Sequence, residues 1–201
     1  MNRETENGKR KTEDKPRIWT VGHSNHPLEK FLATLKVHGI EGVIDVRRFP
    51  VSRKWPHFDA EALAKTLPAA GIEYVGMPEL GGRRRPRPDS PHVAWRTDAF
   101  RGYADFMDTG EFAEAFGRAA DLARERRSAL MCAEALPWRC HRSILADTFL
   151  AHGWDVFEIV NEKDARARKL PDFARLVGSR VVYDGGQLPL EAPRDTTTST
   201  T

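Results

Sequence analysis

Cysteine is scarce. The 201 residues hold only Cys132 and Cys140, too few for a disulfide-built scaffold, and a reducing compartment would keep both as thiols. Long apolar runs are also missing: nothing approaches the ~20 uninterrupted apolar residues of a membrane-spanning helix, which excludes that class. The opening stretch MNRETENGKRKTEDKPR lacks the apolar core of a secretory signal, so a cytoplasmic location is expected. Neither sign of charge dominates, with 32 Lys and Arg against 29 Asp and Glu, so the overall balance says little about a polyanionic partner.

What is present is ordinary globular material, 40% hydrophobic and 30% charged, in a length that fits one domain. Residues 1–16 and 186–201 lack apolar periodicity and are expected to be disordered tails around a single domain at 17–185. The distribution of charge is more telling than its sum. Between Arg47 and Arg101 eleven basic residues face six acidic ones, which concentrates positive charge in the middle third.

Apolar runs alternate with amphipathic stretches. Ile18–Val21, Gly42–Val46, Ile72–Val75, Ala129–Ala133 and Val156–Val160 read as strands. Leu28–Val37 and Ala60–Ala70 read as helices, as do segments carrying Phe100 to Met107, Phe112 to Leu122 and Ser143 to His152. Ser24 or Asn25 is expected to cap the first helix and Asp59 the second, with Gly39, Gly71 and Gly153 as left-handed stops. Continuous apolar strands alternating with helices specify an α/β fold: a single domain with a mostly parallel sheet and helices on both faces.

Ligands of such sheets bind beyond the carboxyl ends of the strands. Those ends here carry Gly22-His23-Ser24-Asn25, Asp45-Val46-Arg47-Arg48, Glu79 to Arg83, and Cys132-Ala133-Glu134, whereas the opposite connections are short and plain. The asymmetry places a site on one edge. The Arg- and Pro-rich segment 82–99 is long for a structureless loop and is expected to be able to close over it.

The segments TVGHSN, DVRRFPVSRKWPHF, IEYVGMPELGGRR, FRGYADFM and LMCAEALPWRCHRSILAD, spread from about Ile18 to Val160, resemble a conserved prokaryotic domain of unknown function, the DUF488 family. His57 and His26 stand where that family more often has Gln and Arg or Thr. The resemblance implies a compact α/β domain and a site, and names no reaction.

The block LMCAEALPWRCHRS is the richest in chemistry. Cys132 ends a strand that leads by a loop to a helix, where N–H groups and the dipole favour an anion or a thiolate. The arrangement, with Asp45-Val46-Arg47, is reminiscent of rhodanese and cysteine-phosphatase loops, but Pro137 and Trp138 replace their glycines and Glu134 puts a negative charge in the cradle. Free cysteine is equally at home as a small buried hydrophobe. A zinc deaminase pattern fails on ligand count. Zinc held by Cys132, Cys140 and His141 is conceivable, although adjacent Cys140 and His141 seldom converge on one metal. No metal or cofactor is therefore assigned.

His23 is a candidate acid or base, or a hydrogen-bonded turn residue. Asp45, if buried, needs Arg47, Arg48 or Arg142 as a partner. Glu79 and Glu134 are read as coming from neighbouring strand ends and as a possible acid/base pair. Arg47, Arg48, Arg83, Arg139 and Arg142, joined by Ser24, His141 and Glu79, are candidates for binding an anion bidentately. Trp55, Trp95 and Trp138 offer stacking surfaces, which favours a nucleotide or single-stranded nucleic acid.

The sequence thus supports an enzyme acting on a phosphate-bearing small molecule or nucleic acid. In that reading Cys132 is the nucleophile, His23, Asp45 and Glu134 transfer protons or orient, and no membrane is involved. The alternative is a non-catalytic nucleotide- or nucleic-acid-binding module with a structural cysteine.

Overall fold

The computed structural model describes residues 15–185. The proposed tails at 1–16 and 186–201, Lys15 and Pro16 apart, lie outside the described residues. A six-stranded sheet has the order β3-β2-β4-β1-β5-β6. Five strands are parallel: β1 (Arg17–Gly22), β2 (Gly42–Asp45), β3 (Glu73–Gly76), β4 (Ser128–Cys132) and β5 (Asp155–Ile159). β6 (Ala165–Ala167) pairs antiparallel to β5 and closes that margin. The single α/β domain with a mostly parallel sheet is as expected.

Two apolar layers hold the sheet. Helices α1 (Leu28–Val37) and α2 (Ala60–Ala69) press Phe31, Leu35, Leu63 and Leu67 against Trp19, Val21, Val43, Ala129 and Met131 on one face. On the other face α3 (Asp98–Phe106), α4 (Gly110–Glu125) and α5 (Arg142–Ala151) bury Tyr103, Phe112, Phe116, Ile144 and Phe149 against Ile18, Ile44, Leu130 and Val156. Burial of each large side chain contributes about 1.5–3 kcal/mol. β4 is buried at every position, which explains why its sequence shows no alternation.

Gly39, Gly71 and Gly153 end α1, α2 and α5 in the left-handed region, at φ of 64°, 79° and 83°. The cap assignments need correction. α1 starts behind Pro27 without a side-chain cap, because Ser24 is drawn into a left-handed turn at φ 52° and its hydroxyl donates to Asn25. Asp59 does stand at the cap of α2, but its carboxylate accepts from the peptide N–H of Ser52 instead of the helix.

The sequence reading also missed a hairpin of β7 (Arg175–Val177) and β8 (Arg180–Val182). Its signal was Leu176-Val177, Gly178 and Val181-Val182, a short apolar pair on each side of a turn glycine with φ 63°. The hairpin is tied to α5 through Asp147, fully buried, which receives the Tyr183 hydroxyl at 2.7 Å and Arg168 Nε at 2.7 Å. The segment 82–99 does not hang free as a lid. Arg84 lies over the Phe106 ring at 3.6 Å, Arg87 pairs with Asp105, and Trp95 packs on Phe100, Phe173 and Tyr183, so only the ends of the segment border the site.

Candidate functional site at the carboxyl edge

The chain leaves β1 over one face through α1 and leaves β4 over the other through α5, while β1 and β4 are direct neighbours. That divergence is the topological switch point of a doubly wound sheet, where ligands bind. Two adjoining cavities open there, of about 480 and 300 Å³. Both are lined by Arg47, Phe49, Ala133, Glu134 and Arg139. His23, Ser24 and Trp55 belong to the first, and Arg48, Arg83, Cys132, Cys140 and His141 to the second. Ser24 and Arg83, the non-glycine residues with positive φ among those described, sit one in each wall. Such strain concentrates at functional sites.

The backbone makes the floor. Beyond the end of the β1–β4 ladder, His23 N–H donates to Cys132 C=O at 3.0 Å and Ser24 N–H to Ala133 C=O at 2.9 Å. Gly22 is required beneath this crossing, since a Cβ there would lie 1.9 Å from the Glu134 carbonyl oxygen. The loop that follows is held from inside by Arg142, 1% exposed, whose Nη1 donates to Glu134 C=O at 2.9 Å and whose Nη2 reaches Ala135 C=O at 3.4 Å. Among the described residues no carboxylate pairs with Arg142, so a full buried positive charge stands beside the two thiols.

Asp45 and Arg47 form a buried ion pair. Arg47 Nε and Nη2 donate to the Asp45 carboxylate at 2.8 and 2.6 Å, and Tyr74 Oη donates to it at 2.8 Å. Arg47 Nη1 donates to Phe58 C=O at 2.8 Å and to His23 Nε2 at 3.2 Å. A guanidinium only donates, so Nε2 carries the lone pair, and the His23 proton is on Nδ1, which donates to Ser24 C=O at 2.9 Å. The ring also stacks on Phe58 at 4.1 Å. Burial, assisted by Arg47, pushes the His23 pKa down to about 4. His23 is therefore a neutral, fixed acceptor at pH 7, and Arg47 lines the cavities with its donors already committed. Both position the site.

The depressed His23 pKa has a stability consequence with a definite sign. Between pH 6.5 and about 4 the unfolded chain binds this proton while the folded chain does not, so stability present above pH 6.5 is lost as pH falls through that window. The loss reaches about 3 kcal/mol. His23→Gln should flatten this part of the pH profile of urea unfolding, and an unchanged slope would show that His23 is not buried in the neutral form.

Cys132, Cys140 and His141 meet at the second cavity, although loop residues separate Cys132 from the others in sequence. Their ligand atoms lie within 4.8 Å of one another. His141 Nε2 donates to Val46 C=O at 3.1 Å, and its Nδ1 faces the thiols, 3.8 Å from Cys140 Sγ. The Cys132 thiol is held well below the usual range, first by the hydrogen bond from Cys140 and then by His141 and Arg142, which together outweigh its burial. Cys140 is pushed up for the reciprocal reason, since its S–H donates a hydrogen bond to Cys132, and because it too is buried. The pair thus ionises once, at Cys132.

The remaining candidates separate cleanly. Arg48, Arg83 and Arg139 are exposed and line the second cavity, and among the described residues their guanidinium groups make no hydrogen bond or ion pair. Phe49, missed in the sequence, stands between them 62% exposed, with Arg48 and Arg83 over its ring at 5.9 and 5.4 Å. Trp55 lines the first cavity and Trp138 is exposed, but Trp95 is packed into the core and offers no stacking surface. Glu79 also needs correction. β3 is the margin of the sheet with β2 between it and β4, so Glu79 cannot pair with Glu134, and it binds Arg118 on α4 instead. Glu134 alone contributes a carboxylate to both cavities.

The chain is thus an α/β domain with a thiol, a buried imidazole and unpaired guanidinium groups at its switch point. The family model for a domain of unknown function, DUF488, matches residues 27–149, more than half of the chain, and the chain belongs to that family. No curated protein and no solved structure matches it. Among the described residues no helix is long and apolar enough to cross a membrane.

Proposed function

We propose that this chain is an enzyme acting on a phosphate-bearing substrate, a nucleotide or nucleic acid, with Cys132 as nucleophile. The observation that carries the reading is the convergence of three unpaired guanidinium groups, Arg48, Arg83 and Arg139, on a cavity that also exposes Cys132. Guanidinium forks suit phosphate oxygens, and their positive charge stabilises a transferring phosphoryl group. Phe49 and Trp55 supply flat apolar surface for a base.

In the first step the Cys132 sulfur bonds to phosphorus as the bond to the leaving oxygen breaks, and that oxygen takes a proton from water. Water then attacks the thiophosphate, its proton passes to Glu134, and the thiolate is restored. Asp45, Arg47 and His23 fix the floor beneath this chemistry, and Arg142 supplies the positive charge that favours the thiolate.

Release of phosphate from nucleotides, short oligonucleotides and aryl phosphates tests the reading. Wild-type protein should turn over at least one of them, and Cys132→Ser should fall by on the order of a thousandfold or more. Binding without turnover by both proteins, weakening steeply with salt, would replace the enzyme by a phosphate-binding module with a structural thiol.

A further inference from the structure

We infer that Cys132, Cys140 and His141 form a site for one thiophilic divalent cation of the Zn²⁺ type. The inference uses the residues of the proposed active site but does not depend on turnover. Two thiolates and an imidazole are the donor set that soft and borderline cations select over Mg²⁺ or Ca²⁺. The three ligand atoms are already within 4.8 Å of one another, with Cys140 Sγ and His141 Nδ1 at 3.8 Å. A tetrahedral zinc with bonds of about 2.3 Å to sulfur and 2.0–2.1 Å to nitrogen holds its ligand atoms roughly 3.5–3.8 Å apart. Closure therefore takes contractions of about 1.3 Å at most.

Two further features are those of a metal site. The Nε2–H of His141 is spent on Val46 C=O, which turns Nδ1 toward the thiols, as the outer partner of a ligating histidine does. Gly82 leaves room for the ring in that orientation, since a Cβ there would come within 2.9 Å of Nδ1. The peptide N–H of Arg142 points at Cys140 Sγ at 3.4 Å, a second donor to a ligand sulfur. All three side chains line the second cavity, so the coordination position they leave is reached from it.

A bound cation takes both sulfurs as thiolates. Cys132 is then a ligand and not a nucleophile. Occupancy holds the proposed enzyme silent, and chelation frees it.

The test uses the reduced full chain and Zn²⁺ itself, with Cd²⁺ as a probe whose bonds to thiolates absorb in the ultraviolet. One equivalent should bind. Trypsin cuts after Arg139 and places the two cysteines on different peptides, so iodoacetamide labelling is read separately for each. Free Zn²⁺ at a hundred times its Kd should slow labelling of both by about a hundredfold, reversed by EDTA. Gly82→Ala, which keeps all three ligand residues but crowds the His141 ring, should weaken binding by about 10- to 100-fold. Labelling unaffected by Zn²⁺, protection of Cys132 alone, or binding insensitive to Gly82→Ala would overturn the site. Cys132→Ser activity loss with no metal bound would keep the enzyme and discard the metal, whereas stoichiometric binding without any turnover would do the reverse.

Discussion

Asp45→Asn is expected to destabilise the fold by about 3–5 kcal/mol, the cost of leaving a buried charge without its partner. Asp45 and Arg47 are 1% and 6% exposed, and the carboxylate collects the guanidinium fork together with the Tyr74 hydroxyl. An amide of the same shape keeps one acceptor, loses the charge, and turns two donors toward the guanidinium. In a chain of this length each kcal/mol is worth about 2–4 °C, so thermal unfolding followed by circular dichroism should show a fall on the order of 10 °C. The damage should extend to the site, because the same Arg47 holds Phe58 C=O and His23 Nε2. A loss below about 1 kcal/mol would mean that water reaches the pair and that it does not organise the floor of the cavities.

Gly22→Ala has the second large effect, and it acts on geometry instead of charge. The added methyl would sit 1.9 Å from the Glu134 carbonyl oxygen, 2.7 Å from its carbon and 2.9 Å from Ala135 Cα, all of them backbone atoms that no rotamer change can move aside. The loop from Ala133 to Leu136 must lift off the end of β1, breaking the pairing of Ser24 with Ala133 and the hold of Arg142 on Glu134. Overpacking of this kind costs about 1–3 kcal/mol. Hydrogen exchange should show faster opening at Ser24, whose amide donates across this crossing. Gly76→Ala, whose Cβ meets only the Tyr74 hydroxyl at 3.9 Å, is the matched control and should stay within about 0.5 kcal/mol of wild type. Equal behaviour of the two variants would show that the loop is not seated on β1 as described.

The order of strands and helices was legible because each signal is local. Apolar runs of strand length, the 3.6-residue spacing of Phe31 and Leu35, and glycines at three helix ends act within a few residues. Legible too was the edge that carries the site, since the polar strand ends fall on one side. Strand order was not, because it depends on which face each crossover takes, and this order sets Cys132 beside His23 while leaving Glu79 at the margin. The roles of Asp45 and Arg47 were half legible: a buried carboxylate requires a cation, but only the structure chooses Arg47 among three arginines. The convergence of Cys132 with Cys140 and His141 depends on the return path of residues 133–139, a loop whose course Arg142 sets from the interior by way of backbone carbonyls. Side-chain identity carries no trace of bonds to carbonyl groups. The hairpin β7–β8 went unseen because three-residue strands are too short for a periodic signal.

The central claim is a reactive Cys132 thiolate inside an anion site. Its most direct measurement is the iodoacetamide labelling rate of Cys132 in metal-free wild-type protein, read on its own tryptic peptide with and without a nucleotide or inorganic phosphate. Rapid labelling of Cys132, slow labelling of Cys140, and suppression of the first by the phosphate-bearing ligand are the predicted result. A Cys132 that labels no faster than Cys140, or whose rate is indifferent to every phosphate ligand, would contradict the account.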